Sequence, residues 1–363
     1  MKPGSRIRWI AYLLALAGAA LLTTLIVREG AARVLAALAQ GSWAVPVVAA
    51  INIPRLFSDG ASWLALVPRT NRPRFLTAVW IRWVGGSINE FLPTARLGGD
   101  ILTARLAAIR GGLPPTLAAA IAAVIVTVSV TMRILVIIGA LLLIAGLTGL
   151  AHLYIPTFAA GLTALIAVIG LYLIQRFGLF RLTAGLISWV KTRLQIVERA
   201  SLPPSSGRAG LRRTSARPNG AAWSSLILNG ANFDDTLRAL YARLPALLMC
   251  ALFWIFSWLI DCVQTWLALL ALGIPTTFVV ALIVETAGQS VRSIFFIVPA
   301  GLGVFEAGML MICNLFGIPG DIALALSVVR RAREALFCGP GLIIWQFVEA
   351  RRLFQRVNDN ARP

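Results

Sequence analysis

The chain has 363 residues, 59% of them hydrophobic, and 33 Lys or Arg stand against 14 Asp or Glu for a net charge of +19. With a mean hydropathy of +0.84 and several apolar runs near the roughly 20 residues that cross a bilayer, a water-soluble fold is excluded. The positive excess then marks cytoplasmic loops facing anionic lipid rather than a nucleic-acid surface. The expected fold class is an all-α integral membrane protein, a polytopic helical bundle forming a single membrane domain over 1–363.

Lys2, Arg6 and Arg8 precede the apolar run Trp9 to Val27. The run is long and lacks a small-residue cleavage site, so it reads as a first membrane helix with a cytoplasmic N-terminus. A second apolar region, Ser42 to Val67, is interrupted by Pro54, Arg55 and Asp59 and is expected to kink. Arg69, Arg72, Arg74 and Arg82 then mark a cytoplasmic return.

Residues 85 to 105 do not read as a continuous membrane helix. They hold Asn89, Glu90, Arg96, Asp100 and Arg105 around Pro93 and the Gly98-Gly99 pair. Proline removes a backbone donor and glycine weakens the helix, so a broken or re-entrant element is expected. Such backbone survives at membrane depth only inside protein or beside a water-filled cavity. Both flanks are basic, so the element dips in from the cytoplasm and returns.

Thr116 to Leu150 forms the next long helix, with Arg133 near its middle. The connection from Thr148 to Pro156 carries no Lys or Arg, which suits the outer side, and Thr157 to Ile174 returns. Residues 176–243 hold eleven Lys or Arg against three acids. Leu182, Leu186, Val190, Leu194 and Val197 recur there at helical spacing, as in an interfacial amphipathic helix. Ser201 to Ala222 is rich in Pro, Ser, Gly and Arg and reads as a linker. Leu244 to Leu272 crosses outward, Phe278 to Val298 and the short Val304 to Phe316 flank a second break, and Ile322 to Trp345 returns to a basic tail. The count is six crossings and two re-entrant elements.

That second break repeats the first. Pro93 has Ser87 six residues before it and Asp100 seven after it; Pro299, 206 residues later, has Ser293 and Glu306 at the same offsets, with Gly301 and Gly303 between proline and acid. An internal duplication is expected, with repeat one at about 76–150 and repeat two at about 276–348, in inverted topology. Charges at membrane depth cost on the order of 2.5–3.5 kcal/mol each on insertion scales and default to functional candidates. Here they cluster: Arg292 and Glu306 around the second break, with Glu285 and Gln289 nearby, and Arg330, Arg331, Arg333 and Glu334 on the helix after it. Local pairing is the plainer alternative, Arg96 with Asp100 and Arg330 with Glu334 across one turn. The four cysteines lie in apolar runs without metal spacing, and His152 is the one histidine, so triad or metal chemistry is not expected.

The stretch Gly-Gly-Ser-Ile-Asn-Glu-Phe-Leu-Pro-Thr-Ala-Arg-Leu-Gly-Gly-Asp at 85–100 resembles the signature of the flippase-like membrane region of lysylphosphatidylglycerol synthases and their stand-alone relatives. Pro-Ala-Gly-Leu-Gly-Val-Phe-Glu-Ala-Gly at 299–308 and Ser-Val-Val-Arg-Arg-Ala-Arg-Glu at 327–334 resemble its later signatures. The likeness runs from about residue 8 to 350, and the Leu-Pro-x-x-Arg-x-Gly-Gly-Asp form looks most like the hopanoid-biosynthesis-associated, HpnL-like branch. It implies lipid translocation rather than lipid synthesis, since aminoacyl transfer in the synthases belongs to a separate soluble domain, which is expected to be absent here.

The function expected is an inner-membrane flippase or exporter of a polar-headed lipid, not an enzyme. A charged groove between the broken elements would take the headgroup, and the arginines would suit a phosphate or other polar group. No P-loop occurs, so direct ATP coupling is not expected. The alternative is a non-transporting scaffold for lipid-biosynthetic enzymes; a third reading, an acid/base enzyme built on Asp100 and Glu306, lacks a nucleophile. Partners expected are the lipid substrate and anionic lipid at the cytoplasmic face, in the bacterial inner membrane with both termini cytoplasmic. Neither cofactor nor nucleic acid is expected, and the oligomeric state is left open.

Overall fold

The structure, a computed structural model, describes residues 16–17, 19–91, 97–148, 154–177, 232–294 and 303–360. Among these every regular element is helical. In chain order they are α1 (19–29), α2 (Ala31–Gln40), α3 (Ala44–Leu66), a single 3-10 turn at Arg69–Asn71, α4 (Phe75–Phe91), α5 (Leu97–Arg110), α6 (Pro115–Thr148), α7 (Tyr154–Phe177), α8 (232–241), α9 (Leu244–Ala271), α10 (Phe278–Ile294), α11 (Val304–Leu315) and α12 (Gly320–Asn360). Pro93, Arg96, Pro299, Gly301, His152 and most of the basic segment 176–243 lie outside the described residues, as does the start of the first expected helix.

Two described helices, Pro115–Leu147 and Leu244–Ala271, are long and apolar enough to cross a bilayer; α2 and α3 make a third span if the 64° bend between them falls within one. The other expected crossings carry charge at mid-helix or are short, so hydropathy alone does not single them out. Helix α3 runs through Pro54 as one continuous element. The chain bends earlier, at Gly41, which closes α2 by donating its N–H to Ala37 O at 2.9 Å. A side chain at Gly41 would press on the Leu272 side chain at 2.8 Å and Ala271 O at 3.2 Å, so glycine lets the bend seat against the end of α9.

Helices α3 and α9 form the central pair. Around them α4 packs on α3, α5 and α12, while α10 packs on α9, α11 and α6; α5 lies on α6, and α11 on α12. Exchanging α3 with α9, α4 with α10, α5 with α11 and α6 with α12 maps each of these contacts onto another. The central helices run in opposite directions. Arg243, just before α9, donates from Nη1 to Leu66 O at the end of α3 at 3.0 Å. Further along, Ser62 Oγ donates to Cys250 O at 3.0 Å and Ser58 Oγ to Phe253 O at 2.8 Å. Small hydroxyl residues thus let the two backbones approach and bond without water. Because equivalent helices are antiparallel, the relating pseudo-two-fold axis is perpendicular to them, the geometry of inverted repeats.

Two apolar cores sit at opposite ends of this pair. One gathers Trp63 and Leu66 of α3 and Cys250 of α9 with side chains of α4, α5, α6 and α8. The other gathers Ala44 and Val48 of α3 and Leu269 of α9 with α10, α11 and α12. Between them lies a polar layer that includes Asn52, Ser58, Ser62, Ser257, Asp261, Gln264 and Thr265, all buried.

Candidate functional site

The polar layer is built around one ion pair. Arg55 and Asp261 are separated in sequence by 206 residues, the spacing that also relates Pro93 to Pro299 and Asp100 to Glu306. They occupy equivalent positions in the two halves and touch each other. Arg55 Nε lies 2.9 Å from the Asp261 carboxylate. Arg333 of α12 donates to Asp261 Oδ1 at 3.0 Å and also to Gln264 Oε1. Asp59, one turn along α3, stands 3.6 Å from Arg55 Nη1. A carboxylate with two guanidinium partners is tolerated where an unpaired one would be expelled from a helix as apolar as α9.

A second set of ion pairs continues through the following half. Buried Glu285 of α10 accepts from Arg330 Nη1 at 2.6 Å, from Thr265 Oγ1 at 2.7 Å and from Gln289 Nε2 at 3.1 Å. Glu334 accepts from Arg292 Nη1 at 2.8 Å and lies 3.4 Å from Arg331 Nη1. Arg331 also holds Glu306, Nη2 to Oε1 at 3.0 Å. Arg292 reaches back across the bundle to Glu90, Nη2 to Oε2 at 2.7 Å. The Phe305 ring lies under both Arg330 and Arg331, at 5.1 and 5.6 Å from the guanidinium carbons, where a cation–π contact adds to the pairing.

Eight residues singled out in the sequence therefore fall in this second set, Glu90, Glu285, Gln289, Arg292, Glu306, Arg330, Arg331 and Glu334, while Arg333 joins the Arg55–Asp261 pair. Asp100 stands apart from them with a different partner, Arg82 Nη1 at 3.3 Å. Glu334 is 3.6 Å from Arg330 across one turn, yet the nearer partner of Arg330 is Glu285. Asn89 binds the first broken element together, its Oδ1 accepting the Gly99 N–H at 2.8 Å. There α4 and α5 pass so closely that a Cβ on Gly99 would strike Gly85 O, which is why a glycine stands at 99. Gly98 is half-buried in the first turn of α5. Gly303 has a positive φ of 75° as it caps α11, a conformation that glycine adopts without strain. Arg105 is exposed on α5.

Arg55, Asp59, Arg82 and Asp261 were not among the sequence candidates. A signal existed for Asp261: it is the lone charge in α9, and it falls 206 residues after an arginine. No local feature says that the two touch.

Polar cavities open on both sides of the Arg55–Asp261 pair. Toward the Leu66 and Leu244 ends lies a cleft of about 80 Å³ lined by Asp59, Arg133, Trp254, Ser257, Trp258, Thr286 and Gln289. The Ser257 hydroxyl is buried without a hydrogen-bond partner among the described residues. Toward the Ala44 and Ala271 ends lies a smaller space of about 20 Å³ among Val48, Gln264, Thr265, Ala268, Arg330 and Arg333. Among the described residues no group of three His, Cys, Asp or Glu is placed to hold a metal ion.

At the Leu66 end, α7 and α8 meet. Tyr241 donates to Gln175 Oε1, and burial raises the Tyr241 phenol above its ordinary pKa, so it stays protonated as that bond requires. The described basic residues of the loops gather at this end. Arg72 donates to Leu64 O at 3.2 Å, and Arg238 donates to Arg176 O at 2.9 Å.

Residues 9–339 match the family model described as the lysylphosphatidylglycerol synthase TM region. The chain belongs to that family of transmembrane proteins, which ties it to membrane lipid. It is also similar to a UPF0104 membrane protein of Methanothermobacter thermautotrophicus, 29% identical over 91 residues, a match spanning 25% of this chain and 27% of that protein. No solved structure matches the chain.

Proposed function

From this family membership we propose that the protein moves a polar-headed lipid across the membrane. The headgroup would occupy the cleft beside the Arg55–Asp261 pair while the apolar tail stays in the bilayer. One observation carries the proposal: equivalent helices of two inverted halves cross at a polar layer, with a large cavity on one side and a small one on the other. Exchanging the conformations of the halves would close the first cavity and enlarge the second, which is how inverted repeats give alternating access around a fixed site. The basic residues at the Leu66 end support the reading of that side as cytoplasmic, by the positive-inside rule, where they would also hold anionic lipid. The resemblance of residues 85–100 to the hopanoid-associated branch is what supports reading the membrane as a bacterial inner membrane and the lipid as hopanoid-related.

The test is reconstitution of the pure protein in vesicles carrying labelled lipids. Wild-type vesicles should move at least one labelled lipid between leaflets faster than protein-free vesicles. A disulfide between cysteines placed at Val136 and Trp258, which line the cleft from α6 and α9, should stop the movement, and reduction should restore it. Movement at the protein-free rate for every lipid would refute the proposal.

A further inference from the structure

We infer that the larger cleft takes an uncharged, hydroxyl-rich headgroup, a sugar or an open-chain polyol. The inference rests on the transport reading for its place in function, but its argument is the chemistry of the walls. Two arginines, Arg55 and Arg133, and two carboxylates, Asp59 and Asp261, line the cleft. Its formal charge is zero. The ion pairs continuing from it add four arginines and four glutamates, so the surroundings leave no surplus of either sign. A phosphate would face Asp59 and Asp261; an ammonium would face Arg55 and Arg133. Either would unbalance a buried network in a low-dielectric layer, where unpaired charge is least tolerated.

Hydroxyl groups use both signs at once. Each donates a hydrogen bond to a carboxylate and accepts one from a guanidinium, and adjacent hydroxyls match the two-pronged geometry of both. The Ser257 hydroxyl, buried and lacking a partner among the described residues, supplies a further donor and acceptor at the wall. Trp254 and Trp258, four residues apart on α9, lie on one helix face of the cleft and offer the flat apolar surface on which the carbon–hydrogen face of a sugar ring rests.

The experiment has two readouts on the full-length protein. Lipid retention is measured by native mass spectrometry with monoglucosyl diacylglycerol, a polyol-headed lipid, phosphatidylglycerol and phosphatidylcholine. Movement of the same four is measured in vesicles. At least ten-fold stronger retention of the sugar or polyol lipid over the other two is expected, and which of the two is held better separates ring from open chain. Ser257→Val and Trp258→Ala should each lower that retention at least five-fold and leave phosphatidylglycerol retention unchanged. Should Ser257→Val fail to fold, Gln289→Ala on the same cleft gives the same reading. Equal or stronger retention of the charged or zwitterionic lipid overturns the inference, as does retention of none. Retention of the sugar lipid without movement of any lipid leaves the site standing and refutes transport; movement of phosphatidylglycerol alone does the reverse.

Discussion

The two halves share an architecture and differ in what fills it. Glu285, Arg292, Arg330, Arg331, Arg333 and Glu334 of the second half correspond, 206 residues earlier, to Val79, Gly86, Val124, Ile125, Thr127 and Val128. Val79, Val124, Ile125 and Val128 belong to the buried hydrophobic core. A ladder of ion pairs in one half is thus a dry aliphatic seam in the other, although the same helices make the same contacts. Backbone packing survives such divergence because it depends on close approach and helix direction. The interior chemistry does not survive it, because each buried charge needs a partner placed by a distant segment.

The largest effect should come from breaking the ladder. Glu285→Leu leaves Arg330 with only its longer contact to Glu334, and loss of one partner from a buried pair costs about 3–5 kcal/mol. Thermal unfolding in detergent reads it. A loss no larger than that of a surface variant would mean that the ladder is hydrated and the contrast between the halves is overstated.

Exchanging the central charges tests how far the pseudo-symmetry reaches. If the halves were equivalent, Arg55→Asp with Asp261→Arg would restore the pair. The surroundings are unlike, however: the new carboxylate would face Asp59 and the new guanidinium would face Arg333. The double variant should therefore recover little of the roughly 3 kcal/mol lost by Asp261→Asn alone, as seen in the same melts. Full recovery would show that the axis is locally symmetric in charge.

Smaller effects belong to the first half. Asp100→Asn weakens one partly buried pair with Arg82 at 3.3 Å and should cost about 1.5–3 kcal/mol. A loss comparable to that of Glu285→Leu would put Asp100 in a network like that of Glu306. Smallest of all, Gly86 stands in helix α4 where the second half has Arg292, and a Cβ there would meet no neighbour within 4 Å. Gly86→Ala should stabilise by about 0.5–1 kcal/mol through helix propensity. Destabilisation instead would show that the first half needs the open space opposite Arg292.

The sequence by itself determined the helical membrane class and carried the 206-residue spacing, because apolar run length and Pro-Gly-acid patterning act through the local chain. α9 and the half-helix α11 also fell where hydropathy placed them. The 64° bend between α2 and α3 was not legible, since the abutting end of α9 that meets Gly41 lies far away in sequence. Which charges meet was decided only by the tertiary structure. Asp100 meets Arg82 because α4 packs closely on α5. Arg55 reaches Asp261, and Arg292 reaches Glu90, because two antiparallel copies fold onto one axis. Ion pairing is a matter of a few ångströms across segments some 200 residues apart, and no local pattern encodes that distance.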